Sequence, residues 1–353
     1  MSLKITNSFK KQLYEDFVYE NPNTSIFQTL EMAEVYKRNK NCTPLVLVAI
    51  DEDTDEIVVS LLAKILAEKS GVLSSFSKHS TIRGGPIFRD DDEGVIATSQ
   101  LLCHYNEISK KKVLYSRIYP LNNTPQIMPS FRGGGYEHGD WQNLLLHIDA
   151  PINEIWAQLK KNRKYGVNRA KKKDVIIEEV EDKELLPVFY NLLQETYRKR
   201  GGLLEDISTF EATFDLLVPK NMAKFFIAKY EDRYIAALLI LQYKGVAYEW
   251  YIGSSKKRED LLLCPNDLIV WHAIELCTNN GFHTFDFGGG GLPSEMDAGW
   301  VRFKKEFGGR LVNYGRYTKV HQPRKLWFSL KAFEIYKRLF LRPKVVGYCS
   351  AKM

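Results

Sequence analysis

The chain has 353 residues, of which 44% are hydrophobic, enough to fill one large core or two. An excess of 50 Lys plus Arg over 43 Asp plus Glu leaves a net charge of +7, which favours anionic partners without naming one. No apolar run is long enough to span a bilayer and MSLKITNSFKK lacks the apolar centre of a signal peptide, so the expected location is the cytoplasm.

In chain order, Pro44 to Ile65 reads as strand, charged turn (Asp51-Glu52-Asp53) and strand. Gly94 to Ile108 then reads as a helical stretch, leading through Lys110-Lys111-Lys112 into a strand over Val113 to Ile118. The order returns later: strands over Phe225 to Ile252, a helical stretch from Asn266 to Thr278, then a strand from His283 to Phe287. Two copies of strand, turn, strand, helix, strand predict a duplicated mixed α/β fold with its seam near residues 148–152. The expected units are residues 1–150, residues 151–325, and a tail at 326–353.

At that seam Pro151 suits the first turn of a helix, and Ile152, Trp156, Leu159, Val167 and Ala170 recur at helical spacing. One helix is therefore predicted from Pro151 to about Lys173. It carries eight basic residues between Lys160 and Lys173, of which seven point off the apolar stripe. Arg163 falls inside the stripe, where it needs an anionic or carbonyl partner, either a structural carboxylate or a substrate group.

The late strand ends in Gly288-Gly289-Gly290-Gly291 directly after Asp286 and Phe287, and FKKEFGG follows at Phe303 to Gly309. Open backbone amides beside a carboxylate, with lysines close by, suit a substrate that is anionic or develops negative charge as it reacts. The cysteines Cys42, Cys103, Cys264, Cys277 and Cys349 are scattered without a C-x-x-C pair, and His272 and His283 are isolated, so no metal site is expected.

Taken together these segments resemble the Fem family of aminoacyl transferases. The residues that carry the resemblance are Ser25 to Thr29 with the helix after them, Gly84-Gly85-Pro86, and Trp156-x-x-Leu159-x-x-x-Arg163 with Arg169-Ala170. Tyr251 to Ser254, Pro265-Asn266, Phe285 to Gly289 and Phe303-Lys304-x-x-Phe307-Gly308 complete the set. The resemblance implies two tandem GNAT-like domains. It also implies transfer of an amino acid from an aminoacyl-tRNA ester to the amine of a cell-wall peptide precursor.

Single GNAT domains cradle the pyrophosphate of coenzyme A with a glycine-bearing loop. The matching stretch here, Ser254 to Asn266, has no glycine, and the glycines at Gly84 and Gly85 precede Pro86 and the acidic run Asp90 to Glu93. A CoA site is disfavoured in both halves. A Rossmann site is rejected because Pro293 stands where a G-x-G-x-x-G pattern from Gly288 needs its third glycine.

Aminoacyl transfer needs an unprotonated amine, stabilisation of an oxyanion and protonation of the departing oxygen. By resemblance, Phe303 and Lys304 line the site and Lys304 sits near the reacting carbonyl. Asp286 either accepts the ammonium proton or caps the glycine turn, whose amides belong to Gly288 and Gly289. Lys37, with Tyr36 as an alternative for the same role, and Arg163, Arg198 and Arg200 are the candidates for acceptor binding. Trp250 and Tyr251 stack on substrate or fill the core.

Leu326 to Leu341 reads as a basic amphipathic helix that either packs on the second domain or rests on an anionic bilayer. The expected partners are an anionic cell-wall precursor, tRNA as donor, and the inner membrane face, with no cofactor and no DNA. Two other readings remain open: an N-acyltransferase fed by acyl-CoA, and a noncatalytic RNA-binding module built on the basic helix.

Overall fold

The computed structural model describes residues 2–68, 71–200 and 204–340. Strands β1 (Leu3–Thr6), β2 (Cys42–Asp51), β3 (Glu56–Ala67), β4 (Lys78–Gly84), β5 (Ile87–Phe88), β6 (Tyr115–Pro120) and β7 (Glu137–Gly139) form a first sheet. A second contains β8 (Gln142–His147), β9 (Ile176–Glu179), β10 (Ala223–Tyr230), β11 (Arg233–Tyr243), β12 (Val246–Ser254), β13 (Thr284–Gly291) and β14 (Arg310–Asn313). The last strand, β15 (Arg316–Val320), returns to the first sheet between β6 and β7.

The duplication read from the sequence is present. In each half an antiparallel hairpin, β2–β3 or β10–β11, precedes a long helix, Asp92–Ser109 or Pro265–Asn279, that leads into a parallel-paired strand, β6 or β13. The first of these helices starts where Asp91 accepts the Gly94 amide at 2.7 Å, a side-chain N-cap. β3 and β11 are almost wholly buried because both sheet faces are covered, hence their continuous apolar runs.

Strand pairing crosses the expected seam near residues 148–152, and the expected boundary at 325/326 falls inside the helix Pro323–Phe340. β8, before residue 150, pairs with β13 and β14 in the second sheet, while β15, late in the chain, pairs with β6 and β7 in the first. The halves also share a core: Ile26, Phe27, Met32 and Val35 from the first pack with Phe189, Phe210, Tyr248 and Tyr251 from the second. The apolar area removed from water at that shared core holds the two lobes in a fixed relation.

The predicted helix from Pro151 is two helices, Ile152–Gln158 and Lys161–Lys172. Leu159 and Lys160 are extended between them, and the Lys160 amide donates to the Glu306 carbonyl at 2.9 Å. Both helices keep their apolar side on the core, with Ile155, Val167 and Ala170 buried, so the periodicity survives a break that hydrophobicity alone does not reveal.

Candidate functional site

β12 and β13 run parallel for three residue pairs only, Val246 with Thr284, Ala247 with Phe285 and Tyr248 with Asp286. Beyond Asp286, β13 turns toward β8, meeting Asn143 and Gln142 through Gly289 and Gly291. The turn uses Gly288 at φ +74°, a conformation costly for any residue with a Cβ. On the other side, β12 slips register against β11, Tyr251 facing Leu239 but Glu249 facing Ile240, so Trp250 is bulged out. The two strands thus open a fork.

Over the fork lies the short helix Gly299–Glu306, which brings Trp300, Phe303 and Lys304 to one wall of a cavity of about 270 Å³. Glu249, Ser254, Thr196 and Asn266 line it as well. Lys304 Nζ donates to the Phe287 carbonyl and lies 3.3 Å from Glu249 Oε1, with only 14% and 3% of the two side chains exposed. Asp286 is buried and accepts the Gly288 amide at 2.7 Å, so it caps the glycine turn. Burial raises its pKa, against the pull of that amide and of the Arg83 and Lys304 charges.

Arg163 has structural partners. Its guanidinium donates to Asp267 at 2.6 Å and to Glu306 at 3.0 Å, with Phe303 4.8 Å beneath it. This clamp ties the helix Lys161–Lys172 to the cavity wall, and Gly166 allows the approach, since a Cβ there would meet Asp267 Oδ1 at 2.4 Å. Burial pushes Asp267 up to about 6 against the pull of Arg163, and Glu306, which shares the same cation, adds a smaller push in the same direction.

The first sheet faces this fork with a row of arginines. Register places Arg83 beside Tyr119, and Arg117 beside Thr81 and Thr318, on the side of the sheet opposite the buried Ile82, Ile118 and Tyr317. Arg316 lies on that same side. Each arginine rests on an aromatic ring: Arg83 on Phe27 at 4.3 Å, Arg117 on Tyr115 at 4.5 Å, Arg316 on Trp141 at 5.1 Å. None of the three forms an ion pair among the described residues, and the Nε atoms of Arg117 and Arg316 are buried without a hydrogen bond. Trp141 also meets Tyr119 edge-on at 5.5 Å and stands 3.4 Å from where a Cβ on Gly289 would lie, which joins this row to the glycine turn.

The other sequence candidates divide. Tyr36 is buried under Lys64, whose ammonium is 5.1 Å from its ring, whereas Lys37 points to solvent beside Glu34 at 3.4 Å. Lys64 pairs with Glu205 close by. Tyr251 is core, 4.9 Å from Phe210, and Trp250 is half-buried with its ring edge toward Phe27 at 6.4 Å. Arg198 is exposed, and the side chain of Arg200 lies outside the described residues. Sequence reasoning missed Glu249, Arg117 and Arg316. Glu249 and Arg117 are each a lone charge in an apolar or aromatic strand, and that interruption was the available signal, whereas Arg316 shares its strand with Lys319 and gave none.

A profile for the acetyltransferase (GNAT) domain matches residues 157–304. A solved structure of FemX superposes with a TM-score of 0.69 at 19% identity, covering 93% of this chain and all of that one. The chain has the tandem GNAT fold of FemX. A tandem GNAT protein from the clavulanic acid biosynthesis pathway shares that fold at 9% identity and a TM-score of 0.59, over 91% of this chain and 99% of that one. In sequence the chain is similar to the lipid II:glycine glycyltransferase of Staphylococcus saprophyticus, 26% identical over 246 residues and 63% of this chain. The match spans about half of that relative's length, 55%. The Fem resemblance read from the motifs therefore holds in both fold and sequence.

Proposed function

We propose that this protein is an N-acyltransferase that moves an amino acid from an aminoacyl-tRNA ester to an amine of an anionic cell-wall peptide precursor. The observation that carries the reading is the pairing of the β12–β13 fork, with Lys304 on its wall, and a facing row of three arginines that form no ion pair among the described residues. Guanidiniums held on aromatic platforms fit diphosphate and carboxylate groups, which a cell-wall precursor supplies. The similarity to a lipid II:glycine glycyltransferase supports the same substrate class.

In this reaction the acceptor amine attacks the ester carbon, a C–N bond forms, the C–O bond to the ribose breaks, and the departing oxygen takes up the proton that the amine releases. Lys304 places a cation beside the oxyanion, and the ester is already activated, so no covalent enzyme intermediate is needed. The glycine-free loop Ser254 to Asn266 favours a tRNA-borne donor over coenzyme A.

The helix Pro323–Phe340 completes the proposal. It exposes Trp327, Phe328, Leu330 and Ile335 beside Arg324 and Lys331, a face suited to an anionic bilayer that presents lipid-linked acceptors. Among the described residues no helix is long and apolar enough to cross a membrane. Incubation with a charged tRNA pool and a lysine-bearing precursor, followed by mass spectrometry, tests the reading. An aminoacyl mass increment on the precursor is expected, and its absence with every charged tRNA refutes the activity.

A further inference from the structure

We infer that Glu249 is the residue that selects an amine-bearing donor, by taking the α-ammonium of the aminoacyl group inside the β12–β13 fork. The inference rests on the aminoacyl-transfer reading and deepens it.

A plain acyl group presents no charge, and a buried carboxylate on the wall of its pocket would only cost desolvation energy. An aminoacyl ester differs by one feature, an α-ammonium adjacent to the reacting carbonyl, with an ordinary pKa near 8. Glu249 lies within the cavity where such a group would enter, one residue past the last β12–β13 pair, and is 3% exposed. The other carboxylate at the fork, Asp286, is committed to the Gly288 amide. Glu249, and not Asp286, is among the residues that line the cavity.

Its present partner gives the arrangement a consequence for catalysis. Lys304 Nζ is shared between Glu249 Oε1 at 3.3 Å and the Phe287 carbonyl. An ammonium arriving on Glu249 competes for that carboxylate and leaves the Lys304 charge for the carbonyl oxygen of the ester, where negative charge develops. Donors without the amine leave Lys304 neutralised by Glu249. Selection and activation would then be one event.

The test compares paired donors on one CCA-ended RNA, glycyl against glycolyl and alanyl against lactyl, with a lysine-bearing precursor as acceptor. The unaltered protein is expected to favour the amine member at least tenfold in kcat/KM. In Glu249→Gln, and in the apolar Glu249→Met should the first fail to fold, that ratio collapses toward unity. A carboxylate that merely holds Lys304 in place would lower both members of a pair alike and leave the ratio intact, and that result overturns the inference. Equal use of both members by the unaltered protein also overturns it while leaving aminoacyl transfer standing. No transfer from any charged RNA removes the reading beneath it as well.

Discussion

Lys304 and Glu249 meet 3.3 Å apart where β12 and β13 separate, almost wholly shielded from water. Breaking a buried ion pair by removing one member leaves the other uncompensated and costs about 3–5 kcal/mol. Lys304→Ala is therefore expected to lower stability as well as to reduce transfer by roughly 10²–10³-fold, the scale of losing one oxyanion-stabilising group. The double variant Lys304→Ala/Glu249→Gln should recover most of the stability and none of the activity. Urea melts and transfer rates on the same preparations check both, and a double variant with restored transfer would remove Lys304 from the chemistry.

The arginine row predicts a binding defect without a folding defect. Arg117→Gln and Arg316→Gln remove cations that form no ion pair among the described residues, so unfolding midpoints should hold. Hydrogen bonds to charged groups are worth about 1.5–3 kcal/mol each, so the acceptor KM should rise roughly tenfold to a hundredfold per substitution, with a weaker salt dependence. An unchanged KM for the precursor would place its anionic groups elsewhere.

The Arg163 clamp carries a pH signature. Asp267 has a folded pKa of about 6, above its unfolded value of 3.8, so between those values the folded state binds more protons than the unfolded chain. Its contribution to stability is full below about pH 4 and is lost as the pH rises through 6. Asp267→Asn removes that slope, so the variant's stability relative to the parent should improve from pH 4.5 to pH 7. Denaturant titrations at the two values decide it, since a relative stability that falls over this interval would mean that Arg163 outweighs burial.

Gly288 offers a backbone test. At φ +74° a Cβ costs about 1–2 kcal/mol, and it would stand 3.5 Å from the Glu249 carbonyl and 3.9 Å from Arg83. Gly288→Ala should lose activity out of proportion to stability, because the turn shapes the fork. Parallel melting and rate measurements would show otherwise if the two losses tracked each other.

The membrane-facing proposal is checked on vesicles. Trp327→Ser and Phe328→Ser remove two exposed aromatics from the helix Pro323–Phe340 and should weaken sedimentation with anionic vesicles while leaving transfer to a water-soluble precursor intact.

Much of this architecture is legible in the residues because its signals are local. Apolar runs, charged turns and the repeated element order mark both halves, and the glycine row with FKKEFGG marks the fork, since each depends on neighbours in sequence. Capping by Asp286 was one of the two roles that local sequence offered, since it stands two residues before the amide it caps. What was hidden depends on pairing across the chain. Nothing near Arg163 reveals that Asp267 and Glu306, over 100 residues later, converge on it. Nor does local pattern show that β8 and β15 cross between the sheets, or that register lines up Arg83, Arg117 and Arg316. Tyr36 and Lys37 differ by one helical position, and only the packing of the helix Leu30–Arg38 decides that the tyrosine faces inward.

The central claim, that the fork accepts an amino acid carried on RNA, is tested most directly by a donor exchange on a single acceptor. The protein is given a lysine-bearing precursor with either an aminoacyl-RNA or an acyl-CoA of matching acyl size, and the product mass is read. The account predicts an aminoacyl increment from the RNA donor alone. Acylation from the CoA donor, with none from the charged RNA, would contradict it.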